Sequence, residues 1–282
     1  MTDAKKRVLL IGVTGGCGGV TGEKLVAAGY EVIVTCRESH VEKIRASNKF
    51  HQVIALDLAS NDSVEAAFVE LKRLGITKLD ALVNCAAIDP ATPMETVSLE
   101  EMHLIYQINI FGTLRAVQLA IPLLRDNGGG RIVLVGSLAG SYVMPMLGIY
   151  SSSKFALEGA VDALRRELYP WNITTSIVKP GAILTAMFYD HLKSVERRLA
   201  NLQGADKFYA PLYKAHAREI PRTQSIAVST DEVSNDIMHA LTARKPKSRY
   251  FSGRHSKLTG LFVRFTPDSV HDWLARKIFK LE

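Results

Sequence analysis

Short apolar runs alternate along the chain with longer segments whose apolar positions recur every three or four residues. The runs at 8–11, 31–35, 52–56, 79–83, 131–135 and 173–178 are rich in Val, Ile and Leu and read as strands. The first is continuous enough to be buried on both faces, which is the mark of a parallel sheet. Between the runs lie helical patterns. One ends at Ala27 before Gly29, one spans 41–46, and one spans 62–74 with Val64, Ala67, Phe68 and Leu71 on a single face. A long helix is expected from Leu99 to Leu124, opened by Ser98 and Glu101 as a capping box. Another runs through Tyr150 to Leu168.

Residues 187–229 carry no strand signal and read as helices and loops broken at Pro211 and Pro221. Ser229 to Glu232 caps a helix that runs to about residue 243, and 249–251 reads as a last short strand. The tail, 257–282, interleaves Leu258, Leu261, Phe265, Trp273 and Ile278 with basic residues, and Thr266, Pro267 and Asp268 begin a helix within it. Strands alternating with helices predict a doubly wound parallel α/β sheet. We expect one domain over 1–282, with 187–229 as a helical lid and 257–282 as a C-terminal amphipathic extension.

Such sheets bind ligands at the carboxyl ends of their strands. The turn after the first strand holds Gly12, Gly15, Gly16, Gly18, Gly19 and Gly22 and leads into a helix. Glycines there permit a tight turn and a close backbone approach, and the helix N-terminus offers free N–H groups to a pyrophosphate. Gly15, Cys17, Gly18, Gly19 and Val20 are therefore candidate dinucleotide contacts. The second strand ends in Thr35, Cys36 and Arg37, with no acid to hold ribose hydroxyls. Arg37 can fork onto a 2′-phosphate, which favours NADP(H) over NAD(H), although the neighbouring Glu38 offers Arg37 a competing partner. Asp57 and Leu58 stand at the third strand's end and suit either an adenine contact or a simple helix entry. Asn84 ends the fourth strand, and the small residues after it would let a cofactor lie close.

Tyr150 and Lys154 are four residues apart at the start of a helix, hence on one face about 6 Å apart along the axis. A lysine so placed favours the phenolate and is expected to lower the Tyr150 pKa toward neutrality, which suits proton exchange with a carbonyl or alcohol. Ser137, at the end of the fifth strand, can hydrogen-bond the same oxygen. Asn109 sits in an apolar helical context, where its amide needs partners.

Of the 282 residues 47% are hydrophobic, enough for a large core, and Cys17, Cys36 and Cys85 show neither disulfide nor zinc spacing. We expect no metal. The formal charge of +7 suits an anionic cofactor or an acidic membrane surface, and the absence of a dense basic run with aromatics argues against nucleic acid. The N-terminal apolar run, 8–13, is too short for a signal-peptide core, so a cytoplasmic protein is expected, with 257–282 able to touch a membrane.

These residues resemble the short-chain dehydrogenase/reductase family, in its compact branch, and within it most the retinol and hydroxysteroid dehydrogenases. Thr14, Gly15 and Gly19 resemble the family's cofactor loop, and Asn109, Ser137, Tyr150 and Lys154 match its catalytic tetrad, with Ser137 thirteen residues before Tyr150. Pro180, Gly181, Ile183 and Thr185 match the segment that flanks the nicotinamide. The resemblance implies a Rossmann-type fold and hydride transfer between NADP(H) and a small apolar carbonyl/alcohol pair. It also implies roles for Lys154 on the nicotinamide ribose and for a water held by Asn109, and assembly as a homodimer or homotetramer. Two departures stand out. Thr21 replaces the third loop glycine, where a Cβ would crowd the helix or be absorbed by a small shift, and Cys85 and Ala87 replace usual residues. A non-catalytic NADP-sensing or scaffold protein of the same fold is the alternative.

Overall fold

The computed structural model of the chain describes residues 5–280. Its elements in order are β1 (Arg7–Ile11), α1 (Gly16–Ala27), β2 (Glu31–Cys36), α2 (Glu38–Ala46), β3 (Gln52–Ala55), α3 (Asn61–Arg73) and β4 (Ala81–Asn84). Then come α4 (Leu99–Tyr106), α5 (Thr113–Arg125), β5 (Gly130–Val135), α6 (Gly148–Glu167) and β6 (Ile173–Pro180). The chain continues through α7 (Ala186–Ala200), α8 (Ala210–Ser225), α9 (Thr230–Thr242), β7 (Arg249–Ser252), α10 (Arg254–Phe265) and α11 (Asp268–Phe279). Seven strands pair in the order β3-β2-β1-β4-β5-β6-β7, and every pairing is parallel.

The continuous apolar runs have a direct physical reading. Alternate residues of one strand point to opposite faces, and both faces are covered. Leu9, Ile11 and Ile33 pack with Phe68, Leu124 and Leu157 on one side. Val8, Leu10 and Val32 pack with Leu25, Val41 and Ile237 on the other. The strand order reverses between β1 and β4, and this opens a crevice beyond their carboxyl ends.

The long helix expected over 99–124 is not continuous. A π-helical segment, Gln107–Gly112, separates α4 from α5. Gly112 is pressed against β3's exit, where a Cβ would stand 2.2 Å from the Leu58 carbonyl oxygen. The Thr113 hydroxyl donates to the Ile108 carbonyl at 3.0 Å, which satisfies part of the widened turn. The capping box at Ser98 is also half formed. Ser98 Oγ accepts from Glu101 N at 3.1 Å, but both Glu101 oxygens take Arg198 of α7 at 3.0 Å. Pro211 lies in the first turn of α8, whereas Pro221 lies inside that helix rather than breaking it. At Ser229 both reciprocal bonds of the capping box are present.

Candidate active site

A cavity of about 770 Å³ occupies the crevice, a size that suits an organic ligand. One end is formed by Thr14, Gly15, Gly16 and Cys17, with Arg37, Asp57 and Leu58 nearby. Ser137, Tyr150 and Lys154 stand at its middle, and Pro180, Gly181, Ile183 and Thr185 line it as well. Its far wall is mainly apolar and comes from α7, α8 and Phe279 of α11.

The glycine turn suits a pyrophosphate. α1 begins at Gly16 with no side-chain cap and no acid in its first turn, so its N–H groups and positive dipole end remain for a ligand. Gly12 turns at a φ of +88°, and a Cβ on it would meet Ala86 at under 3 Å. Gly18 provides the close helix–strand contact, since a Cβ there would lie 2.1 Å from the Gly12 carbonyl oxygen. Of the two outcomes open for Thr21, crowding or a small shift, neither disturbs the start of α1. Thr21 is fully buried toward α9, where its hydroxyl meets Ser234 Oγ at 3.0 Å. The residues of the turn thus fit a dinucleotide despite the substitution.

Several candidate contacts stand behind the wall rather than on it. Gly18, Gly19 and Val20 belong to α1 but do not line the cavity. Asn84 is buried, and its amide joins Thr113 Oγ1 at 2.8 Å and Ala86 N at 2.9 Å, so it supports the loop against Gly12. Asn109 is likewise off the wall. Its amide accepts from Ile88 N and donates to Ile88 O, both at 3.0 Å, and donates to Ser153 Oγ at 3.1 Å. With those bonds its side chain clamps the loop after β4 to α6. Asp57 faces the cavity, and its Oδ1 accepts from Ala59 N at 2.9 Å in the turn before α3. Arg37 is exposed, and among the described residues no carboxylate, Glu38 included, pairs with it in an ion pair.

Ser137 lies two residues beyond β5 as the cap of a short 3₁₀ turn, with its Oγ accepting from Ala139 N at 3.1 Å. Its hydroxyl also hydrogen-bonds the Tyr150 phenol. Lys154 is 2% exposed, donates to the Val135 carbonyl at 3.2 Å, and lies 5.6 Å from the centre of the Tyr150 ring. The protein alone does not lower the Tyr150 pKa. Burial pushes the phenol up, the Asp89 carboxylate adds to this, and Ser137 opposes it. Burial also pushes Lys154 down to about 8, against the pull of Asp89. Desolvation is the largest cause at both groups.

Three residues of the cavity escaped the sequence reading: Asp89 after β4, His191 on α7 and His216 on α8. Asp89 Oδ2 lies 3.4 Å from His191 Nδ1, and the two histidines meet Nε2 to Nε2 at 2.8 Å. They are up to 127 residues apart in sequence and form no motif, so only the fold unites them. Lys179 is a further case. Its side chain is 1% exposed and bonds Glu158 and Ser141, which ties the end of β6 to the segment following Ser137.

The model of the short chain dehydrogenase family matches residues 6–195. The chain is 28% identical over 280 residues to the NADPH-dependent 3-dehydrocapnine reductase of Ornithobacterium rhinotracheale, covering 96% of each. It is 30% identical over 203 residues to human 17-beta-hydroxysteroid dehydrogenase type 1, covering 71% of this chain and 60% of that one. A crystal structure of a short-chain dehydrogenase from Streptomyces avermitilis superposes with a TM-score of 0.75 at 25% identity, over 98% of this chain and 96% of that one. With the parallel sheet, the glycine turn and the cavity all consistent with these matches, the chain belongs to the short-chain dehydrogenase family of oxidoreductases, which act on CH–OH and carbonyl groups with a nicotinamide dinucleotide.

Proposed function

We propose that this protein interconverts a ketone or aldehyde and an alcohol of an apolar molecule, using NADP(H), with Tyr150 as the acid/base. The observation that carries this reading is the meeting of Ser137, Tyr150 and Lys154, from three positions in the chain, on one wall of a largely apolar cavity whose other end is the glycine turn. When bound, the nicotinamide supplies or accepts the hydride. Gly15 and the N–H groups of α1 would hold the pyrophosphate, and Pro180, Gly181, Ile183 and Thr185 would flank the nicotinamide. Tyr150 gives its phenolic proton to the carbonyl oxygen during reduction. Ser137 donates a hydrogen bond to the same oxygen. Lys154, held by the Val135 carbonyl 5.6 Å from the centre of the ring, supplies the charge that stabilises the phenolate left behind. Asn109 acts through the loop it clamps to α6, and a water bridging it to Lys154 returns the proton.

Preference for NADP(H) rests on Arg37, which is exposed, lines the cavity and is free of an acidic partner among the described residues. The NADPH dependence of the Ornithobacterium relative supports it. Apolar substrates are supported by Leu104, Met144, Leu147, Phe188 and Ile220 on the wall. Titration with NADPH and with NADH, followed by Trp fluorescence, tests the reading. Tighter NADPH binding that is lost in Arg37→Ala supports it. Preference for NADH overturns the Arg37 argument, and failure of both to bind favours the non-catalytic scaffold.

A further inference from the structure

Lys179 is a costly residue at its place near the end of β6, where its side chain is 1% exposed. An ammonium taken out of water needs partners for its N–H groups, and an apolar side chain of similar length would serve the packing as well. The partners of Lys179 come from three parts of the fold. Its Nζ forms an ion pair with Glu158 Oε1 of α6 and donates to Ser141 Oγ, just after the 3₁₀ turn that Ser137 caps. It also lies 5.0 Å from the centre of the Phe251 ring, whose residue pairs with Lys179 across β6 and β7. Glu158 is held from both sides, since its Oε2 takes Arg249 Nε of β7 at 3.3 Å.

Each partner is close in sequence to a different part of the site. Glu158 follows Lys154 by about one helical turn, Ser141 follows Ser137 by four residues, and Pro180 follows Lys179 directly. Ser141, Glu158 and Lys179 do not themselves line the cavity. There is little slack between the parts they join. A Cβ on Gly140 would stand 2.7 Å from Glu158 Oε1 and 3.0 Å from the Lys154 carbonyl oxygen, so the turn of Ser137 lies directly on α6. On the other side, Gly136 N donates to the Val178 carbonyl of β6 at 2.8 Å.

We propose that Lys179 is a positioning residue for hydride transfer: by joining Glu158 of α6 to Ser141, its ammonium fixes the distance of Ser137 and the Tyr150–Lys154 face from the Pro180–Gly181 edge of the nicotinamide site. This rests on the carbonyl/alcohol reading above and goes beyond it, because the spacing is set by a charge outside the cavity. Errors in such spacing lower the rate far more than the affinity, since the alignment of nicotinamide, carbonyl and phenol matters at the reacting atoms and not along the rest of the ligand.

The test compares the wild type with Lys179→Met, Ser141→Ala and Ser141→Thr. Three quantities are read: NADPH consumption with methyl nonyl ketone, NADPH affinity by titration, and the emission of NADPH at saturation, which reports how firmly the nicotinamide is held. Lys179→Met keeps the apolar stem and leaves Glu158 its Arg249 partner. It should lower kcat by roughly 10- to 100-fold, with KM and the NADPH Kd within about threefold of wild type. Its saturated emission should fall toward that of free cofactor, a readout that needs no substrate. Ser141→Ala removes one arm and no charge, so it should fold and still lower kcat, and Ser141→Thr, which keeps the hydroxyl, should recover most of the loss. An ion pair that merely stabilises the fold would lower the melting temperature while leaving kcat per folded molecule and the saturated emission unchanged, and that result overturns the proposal. Equal losses in Ser141→Ala and Ser141→Thr also overturn it, because the hydroxyl would then not be the link. A wild type that does not bind NADPH overturns the oxidoreductase reading and the proposal with it. If NADPH binds but the ketone is not consumed, the reading of the reaction fails, and the saturated emission by itself decides whether Lys179 positions the nicotinamide edge.

Discussion

Tyr150, Lys154 and the two histidines show how burial and charge compete at single residues. The Tyr–Lys spacing was legible as a helical face, but the effect of desolvation on both pKa values was not, because it depends on what surrounds α6. Tyr150→Phe keeps the ring and removes the proton, so turnover should fall by about 10²–10⁴-fold while NADPH titration remains close to wild type. The histidines make stability depend on pH in opposite senses. His191 has a raised pKa, so its contribution is complete below the ordinary histidine value and is lost as pH rises through the raised one. His216 is lowered from 6.5 to about 4, so its contribution is complete above 6.5 and is lost as pH falls toward 4. A shift of that size corresponds to up to ~3 kcal/mol at about 1.4 kcal/mol per unit. Thermal unfolding from pH 7 to 4 should therefore cost the wild type more stability than His216→Gln. Equal losses would mean that His216 is not held neutral by burial.

Helix ends and turns decide where the site's parts stand. The start of α1 depends on Gly18, whose missing Cβ lets the helix close on the turn at Gly12. Gly18→Ala should open that contact, lower the melting temperature and abolish NADPH binding, both readable in one thermal-shift series. α9 backs α1 through Ser234 and Thr21, and its own start is the capping box of Ser229 and Glu232. Ser229→Ala should cost about 1 kcal/mol, seen in urea unfolding as a lower midpoint at an unchanged slope. Both starts were legible because caps and glycine turns are local chemistry. The π segment was not. Its apolar periodicity reads as one helix, and what widens the turn is packing against Leu58 and the bonds of Thr113 to Ile108 and Asn84. The half-formed box at Ser98 has the same origin, since Arg198 lies 97 residues from Glu101 and takes its carboxylate.

For the molecule as a whole, the C-terminal extension faces two ways. Phe279 is buried against His216, whereas Leu258, Leu261, Phe265 and Trp273 remain exposed, Phe265 at 76%. With Lys257, Arg264 and Arg276 nearby in sequence, this surface supports the proposed peripheral contact with an anionic bilayer. The full chain should co-sediment with vesicles containing phosphatidylserine, less so at high salt, and Leu261→Glu with Phe265→Glu should abolish it. Retention of binding in that double variant would remove the extension from the interaction. The sequence by itself determined the alternation of strands and helices, the glycine turn, and the candidate trio Ser137, Tyr150 and Lys154. Each is written in local periodicity or in spacing along one element. Only the tertiary structure decided that Asn84 and Asn109 stand behind the wall, that Thr21 turns to α9, and that Asp89, His191 and His216 meet. Those outcomes depend on contacts between segments far apart in the chain, where burial and the available partners, rather than local pattern, set each side chain's direction and charge.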